Sequence, residues 1–311
     1  MTQPMFLGID VGTSSIKVIA VDPEGKLLAV ASKPMSIDVQ RPGWSEQNPV
    51  DWWAGTCLAI RQILSEINSA EVLAVGLSGQ MHSLVSLDTS LNVMRPAILW
   101  NDVRSSAEAT YVRETVGDAS LRRLVGNPSL EGFTVTKLLW MRNHEPQLYE
   151  NLSHMLLAKD YVRFRLTGEL ATDPSDASAT LLFDIVNRRW SDEMCSMLDI
   201  DQGLLPRIVE SAEIVATVTS VAATETGLTV GVPVVGGGAD NACAAVGAGV
   251  VSSGDALFSI GTSGTVVAPI SQPSTNPDAA RRSQHLVFDG CCVVGGGCAR
   301  LVETFVGQGD F

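Results

Sequence analysis

Phe6-Leu7-Gly8-Ile9-Asp10-Val11-Gly12-Thr13-Ser14-Ser15-Ile16-Lys17-Val18-Ile19-Ala20-Val21 reads as two apolar, β-branched runs, Phe6 to Ile9 and Ile16 to Val21, joined by a polar turn. Short apolar runs bounded by Gly, Asp and Ser are strand signals. A second turn, Asp22-Pro23-Glu24-Gly25, leads into Lys26 to Ala31, so three successive antiparallel strands are expected. Asn48-Pro49 has the chemistry of a helix start: a side-chain acceptor, then a proline whose missing N–H costs nothing in a first turn. Trp53, Cys57, Ile60, Leu64 and Ile67 follow at 4-3-4-3 spacing, which predicts an amphipathic helix with that stripe inward. Val72 to Leu77 reads as a buried strand and Ser83 to Leu87 as another. The order β-β-β-α-β, recurring more weakly later, fits an α/β architecture with a mixed sheet covered by helices.

The opening stretch has an echo. Ile260-Gly261-Thr262-Ser263-Gly264 lies inside Ala256 to Val267, again an apolar strand, a Gly-Thr-Ser turn and a second apolar strand. Two such hairpins far apart in sequence suggest two related domains, with the boundary at a small-residue hinge near Gly247 to Gly254. The middle, about Arg104 to Arg207, is richer in charge and helical periodicity and reads as helical insertion and cover around the first sheet.

Composition narrows the function classes. With 45% hydrophobic residues in 311, the chain can bury a large core, on the order of three quarters of its unfolded surface. A net charge of -13 with no basic stripe argues against nucleic acid or an anionic membrane as partner. Six cysteines without paired C-x-x-C spacing read as free thiols of a reducing compartment, and a zinc site is not expected. No apolar run is long enough to span a bilayer, so the expectation is a soluble cytoplasmic protein.

A Gly-Thr-Ser hairpin tip suits a phosphate, because glycine lets the backbone approach and successive N–H groups and hydroxyls donate without fixed charge. One copy alone would be an ordinary turn; two in matched strand contexts point to Gly12, Thr13 and Ser14, with Gly261, Thr262 and Ser263, as nucleotide phosphate loops. Asp10 stands where the second copy has Ser259, and a carboxylate there is placed to hold a hydrated Mg²⁺, or else to cap its own turn. Val232 to Ala242 runs from a short strand through Gly236-Gly237-Gly238 into an Ala-rich helix, which puts Asp240 and Asn241 at a strand end and a helix N-terminus. Asp240 taken alone reads as an N-cap, and the helix dipole would depress its pKa. Gly79-Gln80-Met81-His82 lies between two apolar strands, where Met81 and His82 are either core residues or the wall of a sugar pocket.

Together these residues resemble the FGGY carbohydrate kinases. Gly8 to Ser14 resembles the family's first phosphate motif and Ser259 to Gly264 its second. Gly132-Phe133-Thr134-x-x-Lys137-Leu138-x-Trp140-Met141-x-Asn143-His144 fits one of its two sequence signatures. Pro42 to Gln47, Leu99 to Asp102 and Leu166 to Glu169 are also similar to it. The resemblance implies the actin/hexokinase/Hsp70 (ribonuclease H-like) fold, a mixed sheet with helices on both faces. It implies a complete first domain at residues 1–248 and a partial second at 249–311. Gln80-Met81-His82 is similar to the xylulokinase members, where the Met-His pair contacts sugar. By the same resemblance Asp240 falls on the catalytic base and Asn241 on a substrate contact. The implied reaction is phosphorylation of a ketopentose, D-xylulose at its 5-hydroxyl, by ATP with Mg²⁺.

The family's second signature and adenosine-binding segment would lie after Phe311, so the expected chain holds the sugar side without the adenine pocket. By itself it would turn over sugar negligibly and bind ATP weakly. Another sugar or polyol as substrate, a non-catalytic binding protein on the same fold, and an actin- or Hsp70-like ATPase stay open, as does a homodimer.

Overall fold

The structure is a computed structural model that describes residues 3–67, 70–260, 264–270, 283–288 and 291–297. Strands β1 (Gln3–Val11), β2 (Ser15–Val21) and β3 (Leu27–Pro34) form the expected antiparallel meander. A short β4 (Glu46–Gln47) precedes helix α1 (Pro49–Glu66), and β5 (Ala70–Gly79) then returns parallel to β1. On the far side of β5 come Pro233–Val235, parallel, and Ile214–Thr217, antiparallel to it, which completes a mixed sheet. The helix starts as its sequence dictates: Asn48 is the N-cap, its side chain accepting from the Val50 N–H at 3.1 Å, with Pro49 in the first turn.

Alternation along the strands sets the main core. Met5, Leu7, Ile9 and Val11 of β1, Ile16, Val18 and Ala20 of β2, and Val75 and Leu77 of β5 are buried on one face. They meet Trp52, Ala59, Ile60 and Ile63 of α1, and Tyr161, Val162 and Leu166 of helix Ala158–Thr167. Each fully buried Ile or Leu contributes about 1.5–3 kcal/mol. The inward stripe of α1 sits beside the predicted one: Trp53 and Ile60 are buried, but Cys57 and Leu64 are only half-buried, and Ile67 is the C-cap. Thr56 takes the inward place because its hydroxyl donates to the Trp52 carbonyl at 2.8 Å and so needs no outside partner.

Two further expectations need correcting. The predicted strand Ser83 to Leu87 is only Val85–Leu87, and it pairs with His154–Leu156 instead of joining the main sheet. The middle region covers the sheet through helix Ala158–Thr167 but also builds a second core of its own. Val112, Leu121, Phe133, Leu138, Leu139, Leu182 and Leu198 are buried together there, where helices Ser106–Val116, Asp118–Val125, Thr134–His144 and Asp192–Leu198 turn apolar residues toward one another.

The later strands form an antiparallel sheet in the order Leu257–Ile260, Gly264–Ile270, Cys291–Gly297, Ser283–Phe288. Leu257 to Ile260 pairs with Gly264 to Val267 as the echoed hairpin requires, while its tip, Gly261, Thr262 and Ser263, lies outside the described residues. Val267 packs with Met81, Ala179, Ala239, Ala242 and Ala245, which seats this hairpin against helix Asp240–Gly247.

Gly237 links the strands to that helix. Its φ is +76°, and a Cβ there would lie 2.4 Å from the Leu77 carbonyl oxygen. Gly237→Ala therefore meets both backbone strain and a backbone clash. We expect a loss of stability greater than about 1 kcal/mol, read as a lowered urea midpoint with an unchanged m-value.

Candidate active site

Three parallel strand ends lie abreast. Asp10 of β1 is in register with Ser78 of β5, and Ser78 with Gly238 of the two-residue strand Gly238–Ala239. One residue on, Val11, Gly79 and Ala239 form the next row. The chain then leaves all three strands at the same edge, as Gly12-Thr13-Ser14, Gln80-Met81-His82 and Asp240-Asn241. Carboxyl ends of parallel strands are where α/β sheets present ligand-binding groups. Residues as much as 230 positions apart in sequence are therefore gathered by register alone.

Asp10 and Asp240 face each other electrostatically. Burial, with the nearby charge of Asp10 adding to it, pushes the Asp240 carboxyl up from an ordinary 3.8 to about 6, although its Oδ1 accepts the Asn241 N–H at 2.7 Å. This reverses the depressed pKa expected from the helix dipole. Asp240 is not the N-cap either: Ala239 holds that place, without a side-chain hydrogen bond, and Asp240 is the first helical residue. Asp10 accepts the Ser78 hydroxyl at 2.7 Å and is half-buried.

Asn241 and Met81 meet directly, with Asn241 Nδ2 3.7 Å from Met81 Sδ. His82 is buried beside them with φ +65°, a strained conformation for a residue with a Cβ. Its Nδ1 lies 2.8 Å from the Ala179 carbonyl, so Nδ1 carries a proton and donates to that oxygen. Phe133 packs edge-on against the ring at 4.8 Å. His82, Trp100, Leu130, Glu131, Gly132 and Phe133 line a recess of about 290 Å³, at the low end of the roughly 300–1,000 Å³ of ligand clefts. A larger hollow of about 550 Å³, lined by Val50, Leu91, Phe164 and Arg165 among others, gathers none of the strand-end residues.

The turn Gly12-Thr13-Ser14 is closed by its own backbone and tied to its neighbours. The Gly12 N–H donates to Ser15 O at 3.1 Å, closing the turn, and a Cβ at Gly12 would lie 2.9 Å from that same oxygen. The Thr13 hydroxyl donates to Gln80 Oε1 at 3.1 Å and accepts from the Trp100 indole at 2.9 Å. Strand pairing stops at Val11–Ile16, so the amides of Thr13 and Ser14 lie beyond the ladder, with Ser14 exposed at the tip. A phosphate here would meet main-chain amides and Ser14, while Thr13 ties the turn to the recess.

Sequence reasoning missed the residues behind these. Gln80 Nε2 donates to Gln47 Oε1 at 3.1 Å, and Gln47 Nε2 donates to Thr13 O at 2.7 Å. The Trp52 indole also donates to Gln47 Oε1, at 3.0 Å. Lys137, quoted above only as part of a motif, is fully buried and donates to the carbonyls of Gly132, of His82 at 3.3 Å and of Phe133 at 3.4 Å. It thereby holds together the two walls of the recess. Burial lowers its pKa to about 7, with Asp102 opposing and Arg104 reinforcing the shift. The signal for Gln47 and Lys137 was present in the quoted motifs, but a polar residue beside a turn does not reveal its partner.

Among the described residues no group of three or more His, Cys, Asp or Glu forms a metal cluster, and no helix is long and apolar enough to cross a membrane. The donor set suits a hydrated divalent cation, which keeps most of its waters and needs one or two carboxylates; Asp10 and Asp240 repel each other in its absence.

Residues 5–247 match the FGGY family of carbohydrate kinases, N-terminal domain. The chain is similar to the xylulose kinase of Bacillus subtilis (strain 168), 43% identical over 263 residues that make up 84% of this chain and 52% of that protein. It is 39% identical over 279 residues to the xylulose kinase of Escherichia coli (strain K12), covering 90% of this chain and 57% of that protein. A crystal structure of a xyloylose kinase from Brucella ovis shares the fold with a TM-score of 0.87 at 33% identity, over 97% of this chain and 64% of that one. The ligand bound xylulose kinase from Lactobacillus acidophilus gives 0.90 at 24% identity, over 99% and 63%, a likeness of fold alone. The chain spans about half the length of the curated relatives it matches.

The raised carboxyl of Asp240 makes a signed prediction. Between about pH 4 and 6 the folded chain keeps a proton at Asp240 that the unfolded chain has released, so this group lowers stability as pH rises through that window. The loss persists above it. Asp240→Asn should therefore raise the melting temperature at pH 7.5 and leave it unchanged near pH 4, as thermal unfolding at the two pH values would show.

Proposed function

The chain belongs to the FGGY family of carbohydrate kinases, and on that footing we propose that it acts in the ATP-dependent phosphorylation of D-xylulose to D-xylulose 5-phosphate in the cytoplasm. Residues 1–248 serve as the sugar-side domain and 249–311 as the beginning of a second. The observation that carries the reading is the convergence of Asp240, Asn241, Met81 and His82 on the strand ends that also bear Asp10. The names of the relatives support the pentulose.

In this reading the sugar lies between the recess of His82 and Trp100 and the strand end that bears Met81 and Asn241, where His82 bonds a hydroxyl and Met81 packs on C–H faces. The 5-hydroxyl oxygen attacks the γ-phosphorus of ATP, the bond to the ADP oxygen breaks, and the hydroxyl proton passes to the Asp240 carboxylate. A pKa of about 6 suits that task, because the group is ionised near neutrality yet still a competent acceptor. In a loose transition state the carboxylate mainly orients the hydroxyl and takes its proton late. Mg²⁺, when bound, offsets phosphate charge, and Asp10 is the residue that would hold it, through water. The recess and the amides of Thr13 and Ser14 orient the two substrates.

Two measurements test this. Calorimetry should show D-xylulose binding to the chain in preference to glycerol, and His82→Ala should weaken it by about 0.5–1.5 kcal/mol for the lost hydrogen bond. In the full-length context ADP production should depend on the pentulose, and Asp240→Ala should lower kcat by roughly 10² or more with sugar still bound. ATP hydrolysis indifferent to sugar would return the chain to the actin- and Hsp70-like ATPases. Near-normal turnover in the Asp240 variant would make that residue structural.

A further inference from the structure

Beneath the candidate site lies a buried ionic centre to which the mechanism gives no task. The Lys159 ammonium is within 2.6 Å of Asp160, 2.9 Å of Asp173 and 3.0 Å of Asp176, and Arg163 is 3.1 Å from Asp160. All five side chains have zero exposure. From this centre a hydrogen-bonded chain runs outward. Asp173 accepts the Ser175 hydroxyl at 2.6 Å and the Ser211 hydroxyl at 2.8 Å, and the Ser175 hydroxyl oxygen in turn accepts the Ala239 N–H at 2.8 Å. Ala239 is the residue before Asp240.

That last bond occupies a special place. Gly238–Ala239 is two residues long and pairs with β5 alone among the described strands. Ser175 supplies the acceptor that a second neighbouring strand would have given. The helix that follows has no side-chain cap at Ala239, so this amide bond is what fixes the backbone at the point where Asp240 departs. A serine hydroxyl free to rotate would hold it loosely. Here Asp173 takes the hydroxyl hydrogen and Lys159 fixes Asp173, so the lone pair offered to Ala239 has one direction.

We propose that Ser175, oriented by Asp173 and Lys159, is a positioning residue for Asp240, setting where its carboxylate stands relative to the acceptor hydroxyl. The proposal rests on Asp240 being the base, as read above. Ser175 touches no substrate, so its loss should act on the step Asp240 performs and not on sugar binding.

Ser211 provides a matched control, because its hydroxyl bonds the same Asp173 oxygen but not Ala239. Ser175→Ala and Ser211→Ala in the whole chain should each cost some stability. Only Ser175→Ala should speed hydrogen exchange at the Ala239 amide, tenfold or more. Only Ser175→Ala should lower kcat, at least tenfold, with the Kd for D-xylulose within twofold of the parent. Equal effects of both variants on kcat, or a sugar Kd that weakens in step, would overturn the proposal, as would an unchanged Ala239 exchange rate in Ser175→Ala. Where the chain by itself turns over too little sugar to measure, as its sequence leads one to expect, the kcat comparison is made in the full-length context. The exchange measurement then still decides whether Ser175 fixes the strand end.

Discussion

The Lys159 ammonium, buried among three carboxylates, is the interaction on which the site depends. Burial alone would lower its pKa, but Asp160, Asp173 and Asp176 outweigh that and hold it protonated. With Arg163 the centre has two cations against three carboxylates. Burial, reinforced by Asp160 and Asp173 against the pull of Lys159, raises Asp176 well above the usual carboxylate range. A proton on Asp176 makes the charges balance. A buried ion pair gains little over an apolar replacement, yet removing one partner leaves a stranded charge at a cost of about 3–5 kcal/mol. The centre therefore selects one arrangement more than it adds stability. It also explains a glycine: a Cβ at Gly79 would lie 3.1 Å from the Lys159 Cβ and 3.2 Å from the Val11 Cβ. The end of β5 can approach this close only without a side chain.

A second constraint fixes the wall of the recess. Arg104 lies over Trp44 at 3.7 Å and over Trp140 at 5.0 Å, and the two indoles meet edge to face at 5.5 Å. Arg104 pairs with Asp102 at 2.7 Å and with Glu46 at 2.6 Å, and Arg95 also pairs with Glu46. Asp102 accepts the Ser45 N–H at 2.6 Å. Arg95 and Arg104 thereby join residues of the three motifs Pro42 to Gln47, Leu99 to Asp102 and Gly132 to His144. Their common task is to dock two loops on one helix, with Gln47 at the end of the first loop reaching Thr13 and Trp100 at the end of the second facing the recess. A motif that looks catalytic by its distinctiveness is here largely framework.

The parts legible in sequence are those set by local chemistry. The β1–β2 hairpin, the Asn48-Pro49 helix start and the strand before Gly79 each follow from residues within a few positions of one another, and the structure has them. The gathering of Asp10, Met81, His82 and Asp240 was inferred from likeness, because register between distant strands has no local signature. The ionic centre was invisible for a related reason. Nothing within a few positions of Lys159, Asp160 and Arg163 marks them as buried, and the partners they meet at Asp173 and Asp176 are 10 or more positions away. Asp173 is the N-cap of helix Pro174–Ser178. What sequence does not show is that the same carboxylate also meets Lys159 and Ser211.

Asp240 shows why magnitudes had to decide what position could not. A helix N-terminus stabilises a nearby anion by roughly 0.3–1 kcal/mol, less than the 1.36 kcal/mol or so that moves a pKa by one. That cannot offset a rise from 3.8 to about 6. Burial wins, and Asp10 adds to it, because the strand register that builds the site also sets two carboxylates close together. Such an arrangement disfavours the ionised form of Asp240. The rest of the fold, from the one-sided core of β1, β2 and β5 to the Lys159 centre, holds the Asp240 carboxylate where it would not settle unaided.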